Sequence, residues 1–352
     1  MKPAYESLDE ALEALAPYGP DLRNGNTNHA PMAVEALCAL GRPEAVFPWL
    51  ERYRAELLPM PARSERISAQ SWRGALARPE RAGDWSAFFA EELLAAPWGE
   101  VLDRWVGRLA PGLCASATHG LIRVAHAVRA LALGESAPRL RELADALASW
   151  AFAYQELPTT EAPGEPAAPA RVAIRRVPVV PKDRRRFSGT IVSSLEALDR
   201  FPEFAPAIDL LEIGADPAAQ LAELTQVFAR VYVANAYDTL TSIVFIHGIT
   251  SATALGHLLP HLSPANQRAA MRFAWQAGAA LYAAFGTLPE PAREVEAPRD
   301  APDILAERAV AHGDEHAIKL AEACLARNAI RPDPAYLAAI ESALRLLPPA
   351  HH

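Results

Sequence analysis

Histidine is the residue type whose placement in this sequence most strongly suggests chemistry. Eight of the ten histidines lie in low-polarity stretches with a helical pattern. An isolated buried histidine is usually a core residue whose ring nitrogens are hydrogen-bonded. Imidazoles that converge from several helices instead favour a zinc, copper or non-haem iron site. The eight are His29, His119, His126, His247, His257, His261, His312 and His316.

The spacing of these residues along predicted helices limits which of them can share a site. His119 and His126 are seven residues apart, so about 10 Å of helix axis separates them. Two rings at that separation can both reach one ion only with difficulty. We therefore interpret His119 as a ligand and His126 as a supporting or pocket-wall residue. His316 and Lys319 are three residues apart and share one helix face.

Lys319 is the most unusual charged residue, because it lies in an apolar helical run of a chain with only three lysines. One interpretation is an amphipathic stem that pairs with Glu315 or Glu322. The other is a buried amine whose pKa is lowered by desolvation. A neutral amine can form a Schiff base, or it can take up carbon dioxide and become a carbamate. A carbamate would offer an oxygen ligand to a cation already held by histidines.

Helical patterns cover most of the chain, whereas strand patterns are almost absent. A capping-box pattern at Ser7 to Glu10 predicts the first helix, and most of the 31 prolines lie where helical patterns begin or end. The expected fold class is therefore all-α, a multi-helix, bundle-like architecture with a buried metal site between helices of both halves. Later helices are predicted over residues 84–95, 97–109, 118–133, 138–157, 217–237, 264–285, 303–328 and 334–347.

One stretch of about thirty residues interrupts this helical pattern. Residues 157–187 are rich in Pro, Ala and Glu and then in Arg, a composition typical of a linker or a lid. We expect an N-terminal helical half over 1–156, the linker or lid over 157–187, and a C-terminal helical half over 188–352, all within one globular unit. Arg184 to Arg186 are interpreted as a solvated charged run.

Composition excludes several classes of function. The net charge of −8 and the pI near 5.7 argue against a nucleic-acid or anionic-membrane partner. Three cysteines in apolar runs, and a start without a signal-peptide pattern, predict a cytoplasmic protein. The uncharged stretch 239–262 contains three histidines and a proline, so we expect it to be a buried core segment rather than a membrane span.

Motifs for common cofactors and nucleophiles are also missing from the sequence. It contains no G-x-G-x-x-G after a strand pattern, so no flavin or NAD(P) site is visible. It likewise contains no P-loop, no G-x-S-x-G and no H-E-x-x-H. Any oxygen chemistry must then depend on a metal or on the substrate itself.

Four segments, in this order, resemble the questin oxidase-like proteins. They are Asn28 to Leu37, His119 to Arg123 with His126 and Ala127, His247 to Thr250, and Asp314 to Lys319. The resemblance implies action on polyketides such as anthraquinones, by Baeyer–Villiger-like oxygen insertion or by ring cleavage. It also implies a non-haem iron held by four histidines and a carboxylated lysine. Carried over residue by residue, these ligands fall on His29, His119, His247, His316 and Lys319.

The function expected from these observations is an Fe(II)-dependent oxidoreductase that uses O₂ on an aromatic or quinoid, polyketide-like substrate. We expect His126 and Tyr237 to be catalytic. The sequence leaves open whether the enzyme is a dioxygenase or a monooxygenase, and it does not indicate an oligomeric state. Aromatic and Met residues on or near the ligand helices are candidates for the pocket wall, with core packing as their alternative role. They are Met32, Trp72, Tyr232, Tyr237, Trp275 and Tyr282.

Two other functions remain possible from the sequence. A metal hydrolase would hold two zinc or nickel ions bridged by a carbamylated Lys319, with Asp238 or Asp314 as a further ligand. A non-enzymatic helical scaffold would use the histidines structurally and would bind no stoichiometric metal.

Overall fold

The computed structural model describes residues 3–160, 165–187 and 189–350, and it confirms the all-α prediction. Ten short 3₁₀-helices connect or extend the α-helices in these residues. The only sheet in the described ranges is an antiparallel ribbon of β1 (Tyr18–Leu22) and β2 (Leu57–Pro59), in which Tyr18 pairs with Pro59. The α-helices are α1 (Leu8–Leu15), α2 (Ala30–Ala39), α3 (Val46–Tyr53), α4 (Ala82–Ala95), α5 (Trp98–Leu109), α6 (His119–Leu133), α7 (Ala137–Phe152), α8 (Ala170–Ala173), α9 (Ile191–Leu195), α10 (Pro217–Asn235), α11 (Thr239–Leu258), α12 (Pro264–Phe285), α13 (Pro302–His312), α14 (Glu315–Ile330) and α15 (Pro334–Leu346).

The chain forms two compact units. The first unit comprises the described residues of 1–155 and 260–266. In it, α6 packs against α2 and α7, and α7 also packs against α4. Gly120 permits the close approach of α6 to α7, because a Cβ atom there would lie 2.8 Å from the Cα of Trp150. The glycine that follows His119 is therefore required by packing.

The second unit comprises the described residues of 156–259 and 267–352. In it, α11 packs against α10 and α14, and α14 packs against α13 and α15. Gly248 follows His247 as Gly120 follows His119, but a Cβ at Gly248 would meet Phe228 at an ordinary contact distance of 3.7 Å. The two His-Gly pairs therefore have different packing requirements.

Helix α11 contains the uncharged stretch of the sequence. The span Thr239–His261 is long and apolar enough to cross a membrane. Its most apolar window has a mean hydropathy of 1.4, but 83% of that window is buried within the protein. Its start is fixed by a capping box, in which the Asp238 carboxylate accepts the backbone N–H of Thr241 and the Thr241 hydroxyl accepts the backbone N–H of Asp238. The uncharged stretch is thus a buried helix of the second unit, and its first residue is fixed by the cap.

One predicted helix, over residues 303–328, is wrong, because the structure divides it into α13 and α14. Gly313 takes a left-handed conformation, with φ of 78°, and ends α13. The carboxylate of Asp314 then accepts the backbone N–H groups of His316 and Ala317, and so begins α14. The predicted first helix does start at Leu8, but the Ser7 side chain makes no capping hydrogen bond.

The described parts of the proline-rich segment 157–187 belong to the second unit and are hydrogen-bonded to other residues of it. Ala168 exchanges backbone hydrogen bonds with the 210–212 stretch, and the N–H of Val180 donates to the carbonyl of Ala283 over 2.8 Å. The segment also contains α8. Residues 161–164, at the centre of the predicted linker or lid, lie outside the described residues. The division of the chain into an N-terminal half, a linker or lid and a C-terminal half stays a prediction.

Candidate metal centre

The first unit brings together two of the predicted ligands, His29 and His119. His29 is the residue before α2, and His119 is the first residue of α6, the helix against which α2 packs. Their rings are stacked, with centroids 4.5 Å apart and planes 29° apart. Both side chains are buried. Residues that are 90 positions apart in sequence thus present two adjacent imidazoles.

The turn that leads into His119 is strained. Ser116, Ala117 and Thr118 have φ angles of 46°, 56° and 77°, so three successive residues other than glycine occupy the left-handed region. Each such residue costs on the order of 1 kcal/mol or more. The turn places the carbonyl of Ser116 so that it accepts a hydrogen bond from Nδ1 of His119. This bond leaves Nε2 as the nitrogen that can bind a metal.

Glycine in place of Ser116 is expected to stabilise the protein by about 0.5–1 kcal/mol, because relief of the strained φ outweighs the greater entropy of the unfolded chain. The carbonyl that accepts from His119 is retained, so any metal bound at His119 should be retained as well. Urea unfolding at neutral pH measures the change.

The matched control for this change is Ala90→Gly, at an exposed position inside α4. It should lower stability by about 0.5–1 kcal/mol, since a helical φ gives glycine no advantage. A loss of stability in Ser116→Gly as large as that of the control would contradict the assignment of strain.

The second unit brings together His247 on α11 and His316 on α14. Their ring centroids are 5.6 Å apart, with planes at 74°. Nδ1 of His247 donates a 2.7 Å hydrogen bond to the carbonyl of Ile243, one turn earlier in α11. Like His119, His247 therefore has Nε2 directed away from its backbone partner. This backbone support of Nδ1 is typical of histidines that bind metals.

Carboxylates surround His316. Its Nδ1 lies 3.7 Å from a carboxylate oxygen of Asp314 and 3.8 Å from one of Glu315, and the three side chains can place one ligand atom each within 4.8 Å of one another. Burial by itself would raise the pKa of Asp314, but hydrogen bonds from His316 and from the backbone at the start of α14 outweigh burial, so the pKa of Asp314 is lowered.

Asp238, the other carboxylate considered for a hydrolase, is engaged in capping α11.

Lys319 lies one turn after His316 on α14 and is only 2% exposed. Burial lowers its pKa to about 8, although the negative charges of Glu315 and Asp314 act in the opposite direction. At neutral pH this amine is neutral far more often than that of a solvated lysine. Of the two interpretations of Lys319, burial favours the reactive amine over the amphipathic stem.

His126 is held by Glu35, a residue whose role the sequence does not predict. Nδ1 of His126 donates to Glu35 over 2.5 Å, Nε of Arg129 donates over 2.7 Å, and the Tyr5 hydroxyl donates over 2.6 Å. Glu35 belongs to α2, whereas His126 and Arg129 belong to α6. The carboxylate thus links the helices that carry His29 and His119. Its signal in the sequence is a lone acidic residue within the apolar run of α2.

The electrostatics of this cluster keep Glu35 ionised. Burial by itself would raise its pKa, but the charge of Arg129 and the hydrogen bond from His126 lower the pKa well below the usual range. A second buried pair lies nearby in the same unit, where Arg123 on α6 binds both carboxylate oxygens of Glu142 on α7. The helices around His119 are therefore held together by buried ion pairs.

Tyr237, the other residue expected to be catalytic, precedes α11 and lies at the surface, where its side chain is 72% exposed.

Among the expected pocket-wall residues, Met32 lines a cavity of about 20 Å³ together with His119. Trp72 packs edge-on against Trp105, with ring centroids 5.2 Å apart. Tyr282 is buried.

Two further pocket-wall candidates have hydrogen-bonded core positions. The hydroxyl of Tyr232 shares a 2.8 Å hydrogen bond with Ser242, and burial raises the pKa of Tyr232 to about 12. The indole of Trp275 donates to the carbonyl of Ala207 over 2.7 Å.

Two of the remaining histidines also have local partners. The ring of His261 packs against Trp98, with centroids 4.8 Å apart, and Nε2 of His312 donates to the carbonyl of Leu347 over 3.2 Å.

Comparison with known families gives one match. A protein-family model described as Questin oxidase-like matches residues 27–324. The matched range contains both histidine pairs, Lys319 and the Glu35 cluster. No curated protein matches the chain at a significant level.

Proposed function

Because the chain belongs to the questin oxidase-like family, whose members are polyketide-tailoring oxidases, we propose that it is a non-haem iron-dependent oxidoreductase that uses O₂. The proposed substrate is an aromatic or quinoid, polyketide-like molecule. The proposed ligands are His29, His119, His247, His316 and Lys319. The observation that carries this proposal is the backbone hydrogen bond at Nδ1 of both His119 and His247, which assigns the metal-binding role to Nε2 of each ring.

The donor set fits iron. Imidazole nitrogens suit non-haem iron, zinc and copper, and a carbamate on Lys319 would add the hard oxygen donor that favours iron over copper. Carbamate formation needs a neutral amine, and burial increases the neutral fraction of Lys319 by lowering its pKa to about 8. Iron, when bound, would supply the one-electron chemistry that lets O₂ react with an electron-rich ring.

The protein's own residues would orient the ligands and exclude water. The carbonyls of Ser116 and Ile243 fix the ring orientations of His119 and His247. Glu35 holds the Nδ1 proton of His126, so Nε2 of His126 is the ring nitrogen that can accept a proton. A phenol or enol of the substrate becomes electron-rich when it loses its proton, and His126 is the proposed acceptor of that proton. Tyr237 is proposed as a second catalytic residue.

Elemental analysis of protein purified without a histidine tag tests the proposal. We expect about one iron per chain, and we expect the His247→Ala and His316→Ala variants to lose most of it, because each removes one ligand. The matched control is His312→Ala, whose ring has a local partner and should not affect iron content. Full iron retention in both ligand variants would contradict the proposal.

The same analysis separates the alternatives. Two zinc or nickel ions per chain would support the metal hydrolase, and a metal-free protein whose stability is unaffected by chelator would support the helical scaffold. For the iron protein, mass analysis of product formed under ¹⁸O₂ then distinguishes a dioxygenase, which transfers two labelled atoms, from a Baeyer–Villiger-type monooxygenase, which transfers one.

A further inference from the structure

The second unit contains an arginine-lined cavity that none of the five proposed iron ligands contacts. It has a volume of about 770 Å³, which is in the range of small-molecule sites. Its walls come from residues 180–187 and from the 193–201 stretch that follows the start of α9. The charged and aromatic residues of the wall are Asp183, Arg184, Arg185, Arg186, Phe187, Glu196, Arg200 and Phe201. From the sequence alone, the three consecutive arginines are expected to be a solvated charged run.

Two of the arginines build the cavity. Arg185 donates to the carbonyls of Val180, Phe285 and Gly286, so it attaches this segment to the C-terminal end of α12. Arg184 donates to the carbonyl of Arg200 over 3.2 Å, and its guanidinium lies 5.2 Å from the ring centroid of Phe201. These contacts connect the two stretches of the wall.

The other two arginines are available to a ligand. The guanidinium groups of Arg186 and Arg200 form no hydrogen bond or ion pair with any residue in the described ranges of the chain. A pair of guanidinium groups in one concave site is well suited to a carboxylate, which they bind through paired hydrogen bonds. The site is positive in a chain whose net charge is −8, so its attraction for anions is a local property.

The remaining wall residues narrow the class of ligand. Phe187 is 51% exposed, and an aromatic ligand would cover its ring. Asp183 and Glu196 would repel a highly charged anion such as a polyphosphate, but they can accept hydrogen bonds from hydroxyl groups. We propose that this cavity binds a hydroxylated aromatic carboxylate, with the carboxylate at Arg186 and Arg200 and the ring beside Phe187.

Fluorescence titration of the purified full chain with 3-hydroxy-2-naphthoate tests this proposal, with 2-naphthol as the probe that lacks the carboxylate. We expect the naphthoate to bind at least about tenfold more tightly than the naphthol, and its affinity to fall as salt is added. The Arg186→Gln/Arg200→Gln double variant should weaken naphthoate binding by about a hundredfold and leave naphthol binding unchanged.

The control is Arg66→Gln, which removes an exposed arginine of the first unit and should leave both affinities unchanged. Equal binding of the two probes, or unchanged naphthoate binding in the double variant, would overturn the proposal. Displacement of the naphthoate by inorganic phosphate at similar concentration would also overturn it, because the site would then be a phosphate site. Binding does not require iron, so its failure in an iron-containing protein would leave the proposed function intact.

Discussion

Arginine in place of Lys319 is expected to give a protein that contains almost no iron and has no oxygenase activity. The substitution keeps a positive charge, but a guanidinium cannot form a carbamate and would place a fixed cation beside the proposed histidine ligands. Lys319 is 2% exposed, so the larger side chain can also strain the fold. Lys319→Met provides the second test, since it fills a similar volume without charge. It should fold and should still lack iron.

Metal content, circular dichroism and thermal unfolding of the two variants measure these effects. The matched control is Lys182→Arg, at an exposed lysine, which should retain full iron content. In Lys319→Ala, added formate or acetate should enter the vacated space and restore part of the iron binding. If Lys319 were only an ion-pair stem, Lys319→Arg would keep the charge and should leave the iron content unchanged. An iron-replete Lys319→Arg protein would therefore refute the proposed role.

Glutamine in place of Glu35 is expected to cost about 3–5 kcal/mol of unfolding free energy at pH 7, because it breaks a largely buried ion pair with Arg129 and removes the carboxylate that His126 shares. The change also weakens the link between α2 and α6. The stacked ring pair of His29 and His119 should then lose its fixed geometry. Iron content should fall in this variant even though no ligand has been replaced.

The pH dependence of this loss has a definite sign. The pKa of Glu35 is lowered in the folded protein, so its stabilisation is fully present above the unfolded-state pKa, near 4.3, and is lost as pH falls toward the folded-state pKa. The difference in urea midpoint between the parent protein and Glu35→Gln should therefore be large at pH 7 and smaller below pH 4. Glu91→Gln, which breaks exposed ion pairs with Arg63 and Arg66, should change stability little at either pH. A difference that did not depend on pH would contradict this explanation.

Local patterns in the sequence predicted the helices well, because helical periodicity and capping depend on residues only a few positions apart. The one clear error, a single helix over 303–328, also has a local origin. Gly313 ends α13 and Asp314 begins α14, but the apolar pattern of the sequence continues across both residues. The sequence also identified histidine and Lys319 as chemically unusual, since their surroundings are apolar within a few residues on either side.

The sequence by itself determined that this protein is all-α and which residue types could carry its proposed chemistry. Only the tertiary structure decided which of those residues lie close together. It paired His29 with His119, joined Glu35 to His126 across 91 positions, and placed Arg186 and Arg200 in one cavity wall. The reason is that helix formation depends on residues close in sequence, whereas contacts between distant residues depend on how the surfaces of helices and loops pack together. This packing depends on local details, such as the absence of a Cβ at Gly120, which lets α6 approach Trp150. Hydrophobic periodicity along the chain does not predict such details.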